Sequence, residues 1–130
     1  GHDGWAMGHW LQAFWQGLAG IRMLEPALAA VKIAPRWQAA GCQRARVVFH
    51  LPSSDRYLAY TWQQEEREIR MQLTGVQRRV QLQLLAPEDA QVTLYVNGEK
   101  TAFATVQAGE SRYLQVELAG TGIWQIRALW

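Results

Sequence analysis

An antiparallel β-sandwich preceded by one amphipathic α-helix is the fold that this 130-residue sequence predicts. From Pro26 onward, apolar and polar residues alternate with period two in short runs, as they do in strands with one buried face. Turn-forming clusters separate those runs at about the eight-to-twelve-residue spacing of sandwiches and barrels. Ahead of them, Met7, Trp10, Leu11, Phe14, Leu18 and Ile21 fall three or four residues apart, which places them on one helical face. The expected division is a helix over residues 1–25 and a sandwich over residues 26–130.

The helix is predicted from about Gly4 to about Leu18, with Asp3 as its N-cap. An aspartate there accepts hydrogen bonds from the first free backbone N–H groups. Gly17 and Gly20 supply residues that leave a helix in a left-handed conformation. Trp5, Trp10 and Trp15 lie in this segment, three of the seven tryptophans in the chain. One helix with so large an aromatic face cannot bury it alone. The face calls for a partner: the following sheet, further helices of a larger protein, or a second copy of the chain.

Pro26 and Pro35 bracket a first strand at about Ala29–Ala34, and Trp37 opens a connecting loop through Gly41. The strands expected next are Arg44–Leu51, Tyr57–Trp62, Glu68–Thr74 and Arg78–Leu85. Gln91–Val96, Thr101–Val106, Ser111–Leu118 and Gly122–Leu129 follow. Alternation is plain where Ile69, Met71 and Leu73 oppose Arg70 and Gln72, and where Val80, Leu82 and Leu84 oppose Gln81 and Gln83. Asn97-Gly98 is the strongest hairpin signal, because both residues accept positive φ. Pro52-Ser53-Ser54-Asp55, Ala86-Pro87-Glu88-Asp89, Ala108-Gly109 and Gly120-Thr121-Gly122 are further turn clusters.

Composition narrows the function classes. Hydrophobic residues make up 49% of the chain and charged residues 18%, which is ordinary for one globular domain. The formal net charge is +2, and Arg67, Arg70, Arg78 and Arg79 stand among Glu65, Glu66 and Glu68. No basic run interleaves with aromatics, so a nucleic-acid partner is not expected. No signal peptide is visible, and His2, Asp3, His9, Gln12, Gln16 and Arg22 break the first segment too often for a membrane span.

Chemistry-bearing motifs are sparse. The single cysteine, Cys42, excludes a disulfide within the chain and a cysteine-based zinc site. His2, His9 and His50 lack metal-ligand spacing, so no metal is expected. No glycine-rich phosphate loop, dinucleotide fingerprint or Ser-His-Asp arrangement is present, and no cofactor is expected. Nearly all carboxylates fall in turns or on the polar side of strands, which reads as solvated surface rather than as a hydrolytic pair. No catalytic residue is assigned. The aromatic residues remain. Tyr57, Trp62 and Trp124 would form the stacking platform of a sugar-binding sandwich. Against that, alternation groups Tyr60 and Trp62 with Leu58 on one inward face, where aromatics pack a core.

Two stretches carry a family resemblance. Gly17-Leu18-Ala19-Gly20-Ile21-Arg22 resembles the G-[FL]-x-G-[IL]-R run that follows a late barrel helix in the six-hairpin glycosidases. Val31-Lys32-Ile33-Ala34-Pro35 resembles the strand that opens their C-terminal β-sandwich. These are the (α/α)6-barrel enzymes, which include maltose and cellobiose phosphorylases and the rhamnosidases. Ala6-Met7 fits the helix most closely in its maltose-phosphorylase form. Phosphorylases of that type carry a phosphate-contacting histidine in the loop before this helix. Here Asp3 stands at the aligned position and His2 is one residue away.

The resemblance implies a carbohydrate-active parent, a glycoside hydrolase or phosphorylase, with its catalytic carboxylates upstream of Gly1. Residues 1–25 would then be the last helix of the missing N-terminal barrel, which is the implied partner. His2 and Asp3 would lie at the rim of the parent's site, and the sandwich would be a non-catalytic packing domain. Two alternatives stand beside this reading: a self-contained carbohydrate-binding sandwich, or a structural domain that docks its helix on its own sheet. A homodimer through the helix face is a further way to cover that face.

Overall fold

The computed structural model describes residues 18–24, 30–50, 56–76, 79–87 and 90–130. Among the described residues, eleven strands form two sheets packed face to face. They are β1 (Ile21–Met23), β2 (Ala30–Ile33), β3 (Arg44–His50), β4 (Tyr57–Glu65), β5 (Glu68–Val76) and β6 (Arg79–Ala86). After these come β7 (Thr93–Val96), β8 (Glu99–Thr101), β9 (Ala104–Ala108), β10 (Ser111–Ala119) and β11 (Gly122–Leu129). One sheet has the order β1-β2-β6-β10-β9 and the other β3-β4-β5-β11-β7-β8. Among the described residues the only helical turn is a 3-10 turn at Trp37–Ala40, closed by Gly41 in the left-handed region.

The expected sandwich is present, with three corrections. The first concerns the helix. Its predicted body over residues 1–17 lies outside the described residues, but Ile21, the last member of the stripe, belongs to a strand. Gly20 takes φ +67 and turns the chain, after which Ile21, Arg22 and Met23 pair with Ile33, Lys32 and Val31 of β2. The sandwich therefore takes in Ile21–Met23, ahead of its expected start at residue 26. Cross-strand hydrogen bonding and burial of Ile21 against the core override a three-residue helical spacing.

The second correction is topological. β2 runs parallel to β6, with Val31 beside Val80 and Ile33 beside Leu82. Three strands of the opposite sheet separate β2 from β6 in sequence, and so long a connection permits the parallel pairing that a tight hairpin forbids. The third correction falls on the strand expected at Thr101–Val106. Asn97 (φ 51) and Gly98 (φ 82) form the expected β7–β8 hairpin, with Val96 opposite Glu99. The strand then breaks at Ala102-Phe103, and β9 continues in the other sheet beside β10. One predicted strand is thus two, each at the edge of a different sheet.

Period-two alternation fixes which side chains meet between the sheets. Val47, Tyr60, Leu73 and Trp124 occupy one cross-strand row, and Ala45, Trp62, Met71, Ile126 and Val96 the next. Ile21, Ile33, Leu82 and Val116 form a facing row in the five-stranded sheet. These rows join a single core that includes Leu58, Ile69, Leu84, Leu94 and Leu114. The other side of the five-stranded sheet is partly closed as well. Tyr113 is 6% and Gln83 9% exposed there, and the Gln83 amide donates to Oε1 of Gln115 at 2.7 Å.

Candidate functional site

The outer face of the six-stranded sheet carries a surface whose chemistry is organised across several strands. Alternation sends Arg44 and Arg46 of β3 outward while Val47 goes inward. The same logic turns Thr61 and Gln63 of β4, Arg70 and Gln72 of β5, and Gln125 and Arg127 of β11 away from the core. Register then lines them up. Arg44 is opposite Gln63, Gln63 opposite Arg70, and Arg70 opposite Arg127. The same row runs on through Tyr95 to Lys100 at the far edge. Arg46, Thr61, Gln72 and Gln125 form the adjacent row. Together the two rows enclose an open trough of about 620 Å3.

Electrostatics along the trough are one-sided. Its lining holds four arginines and, among the described residues, no carboxylate. Glu68 stands just outside it. One Glu68 oxygen accepts from Nε of Arg70 at 2.6 Å and from Nε of Arg127 at 2.8 Å. The Arg70 hydrogen bond, reinforced by that of Arg127, holds the Glu68 carboxyl below its ordinary range. The side chains of Arg44 and Arg46 have no ion-pair or hydrogen-bond partner among the described residues. At the neighbouring rim, Gln63 donates to Oε1 of Glu65 at 2.7 Å.

The residues singled out in the sequence are not brought together. His2 and Asp3 lie outside the described residues. Of the three platform aromatics, Trp62 is 1% exposed and packs in the core, so it offers no ring face to a sugar. Trp124 is half-buried against the same core. Tyr57 is 41% exposed, at the end of β4, with its ring centroid 6.0 Å from that of His50. The platform of Tyr57, Trp62 and Trp124 is therefore corrected: inward alternation takes Trp62 into the interior. Cys42 is half-buried beside the 3-10 turn. Among the described residues no three His, Cys, Asp or Glu side chains gather as a metal would need.

Sequence reasoning passed over the arginines because they are dispersed along the chain. The signal that finds them is registration: Arg44, Arg70 and Arg127 come together only once β3, β4, β5 and β11 are paired in this order.

No family model matches the chain, and no curated protein sequence does either. Solved structures do. An α-L-rhamnosidase from Dictyoglumus thermophilum matches 90% of this chain with a TM-score of 0.61 at 14% identity. An α-L-rhamnosidase from Streptomyces avermitilis, complexed with L-rhamnose, matches 94% of it with a TM-score of 0.51 at 17% identity. This chain spans only 13% and 11% of the length of those two proteins. The fold is therefore one that occurs as a small part of large glycoside hydrolases.

Proposed function

We propose that this chain is the non-catalytic C-terminal β-sandwich of a carbohydrate-active enzyme, a glycoside hydrolase or phosphorylase, in which it packs against an (α/α)6 barrel. The observation that carries the reading is one of proportion. The likeness takes in nine-tenths of this chain but about an eighth of the first rhamnosidase. The interior supports it: the space between the sheets is filled by side chains, and among the described residues the trough on the outside is lined by no acid pair. Glycoside hydrolysis ordinarily uses two carboxylates flanking the bond, about 5 to 10 Å apart.

The two stretches that resemble six-hairpin glycosidases support the reading further, because they form a single structural unit. β1 and β2 pair, the N–H of Ala34 donates to the carbonyl of Gly20 at 2.9 Å, and that of Arg36 donates to the carbonyl of Leu18 at 2.8 Å. A glycine is required at this junction: a Cβ on Gly20 would run into the backbone of Ala34. In the proposed parent, His2 and Asp3 sit at the rim of the barrel's site. The test is the reading frame upstream of Gly1. A long all-helical segment with paired acidic residues supports the proposal, and a frame that opens just before Gly1 refutes it.

A further inference from the structure

We propose that the arginine trough on the outer face of the six-stranded sheet binds an acidic oligosaccharide, one bearing uronate carboxylates. The site stands apart from the domain's place in a larger enzyme, so either proposal can fail without the other.

The first argument is a local rule that the face breaks. Arg70 and Arg127 are direct cross-strand neighbours, and like charges opposite one another destabilise a sheet. A single oxygen of Glu68 holds both through Nε. Among the described residues the Nη groups of both guanidiniums make no other ion pair or hydrogen bond. Arg44 and Arg46 bring two further cations that form no ion pair among the described residues, with Glu65 and Glu66 lining the neighbouring hollow on the far side of Arg44. Conflict between local preference and the fold marks functional surfaces; Glu68 meets part of this one with a single carboxylate, and a bound anion would meet the rest. Planar guanidinium forks match carboxylates in particular.

The second argument selects the kind of anion. Between the arginines stand Gln63, Gln72, Gln125 and Thr61, which both donate and accept hydrogen bonds, as a ligand rich in hydroxyl groups requires. The trough crosses four adjacent strands, a span of about 14 Å at the usual interstrand spacing, which suits a short chain rather than a lone ion. Protein interfaces concentrate energy in aromatic and apolar anchors, and single-stranded nucleic acids stack on exposed rings. Among the described residues the only aromatic lining this trough is Trp62, which is buried in the core.

The test is titration of the chain, followed by amide chemical shifts, with trigalacturonate, its fully methyl-esterified form and a glutamate tripeptide. The double variant Arg44→Gln/Arg46→Gln removes two cations without breaking an ion pair, and Arg22→Gln/Lys32→Gln, across β1 and β2 of the other sheet, is the charge-matched control. Thermal melting establishes that both variants are folded. The expected result is binding of trigalacturonate at low salt, at least fivefold tighter than the methyl ester and the tripeptide. Shifts should centre on β3, β4, β5 and β11, with at least fivefold loss in the double variant and none in the control. Equal binding of the neutral ester, binding of the peptide as tight as the sugar, or unchanged affinity in the double variant would each overturn the proposal. So would the absence of any binding.

Discussion

The Tyr60 hydroxyl accepts a hydrogen bond from the indole N–H of Trp37 at 3.0 Å, inside the core. The same hydroxyl donates to the carbonyl of Ala19 at 2.7 Å. One phenol thus ties the six-stranded sheet to the connection after β2 and to the residue that enters β1. Tyr60 is 2% and Trp37 4% exposed, so neither partner can turn to water if the hydroxyl is lost. Tyr60→Phe is expected to destabilise the chain by about 1–3 kcal/mol, the cost of leaving buried polar groups unmatched. Urea unfolding of the two proteins side by side measures it, and equal midpoints would show that the junction does not depend on this contact.

Burial raises the pKa of the same phenol well above its ordinary value of 10.0, against a smaller opposing effect of the Trp37 hydrogen bond. A raised folded-state value means that the unfolded chain ionises first. The contribution of Tyr60 is whole below pH 10 and is lost as pH rises above it. Stability should fall more steeply above pH 10 in the wild type than in Tyr60→Phe, as followed by unfolding at a series of alkaline pH values.

Glu68 works in the opposite sense. Its carboxyl is held low by Arg70 and then by Arg127. Its contribution is therefore present above the ordinary carboxylate pKa of 4.5 and fades as pH falls through the lower folded-state value. Glu68→Gln leaves Arg70 and Arg127 facing one another and should lower the Tm by a few degrees at neutral pH and low salt. Salt should narrow that gap, because the pairs lie at the surface. A gap that persists unchanged in acid would contradict the assignment.

Trp62 and Tyr57 separate the core from the surface. Trp62→Ala should cost about 3–5 kcal/mol or prevent folding, as removal of a large core side chain does. Tyr57→Ala, at an exposed strand end, should stay within about 0.5 kcal/mol of the wild type. Denaturant midpoints compare them directly. A mild effect at Trp62 would return it to the surface as a sugar platform.

Gly20 has φ +67, and a Cβ there would meet the backbone of Ala34. Neither strain nor clash can be relieved by turning a side chain. Gly20→Ala should therefore cost on the order of 3 kcal/mol or more. Soluble expression and melting temperature report it, and a well-folded variant would show that the β1–β2 junction yields.

Most strands were legible in the sequence because half-buried strands write their burial as alternation. Ile69, Met71 and Leu73 on β5 and Val80, Leu82 and Leu84 on β6 are buried, as their spacing implies. The Asn97-Gly98 turn was equally legible, since positive φ at two successive positions leaves few residue choices. Strand partners were not legible. The parallel pairing of β2 with β6 and the change of sheet at Ala102-Phe103 depend on tertiary contacts far apart in sequence. Ile21 misled because one residue suits the end of a helical stripe and the start of a strand equally well. The trough stayed hidden for a related reason: its arginines lie on three different strands and acquire a shared chemistry only through register.

The central claim, that this sandwich is a non-catalytic part of a larger carbohydrate-active enzyme, meets its most direct test in one paired assay. The purified 130-residue chain and the product of its complete reading frame are incubated with aryl glycosides, the α-L-rhamnoside among them, and with the same sugars plus phosphate. The account predicts no turnover by the chain alone and turnover by the longer product. Turnover by the isolated chain, or a longer product with no glycosidic activity at all, would contradict it.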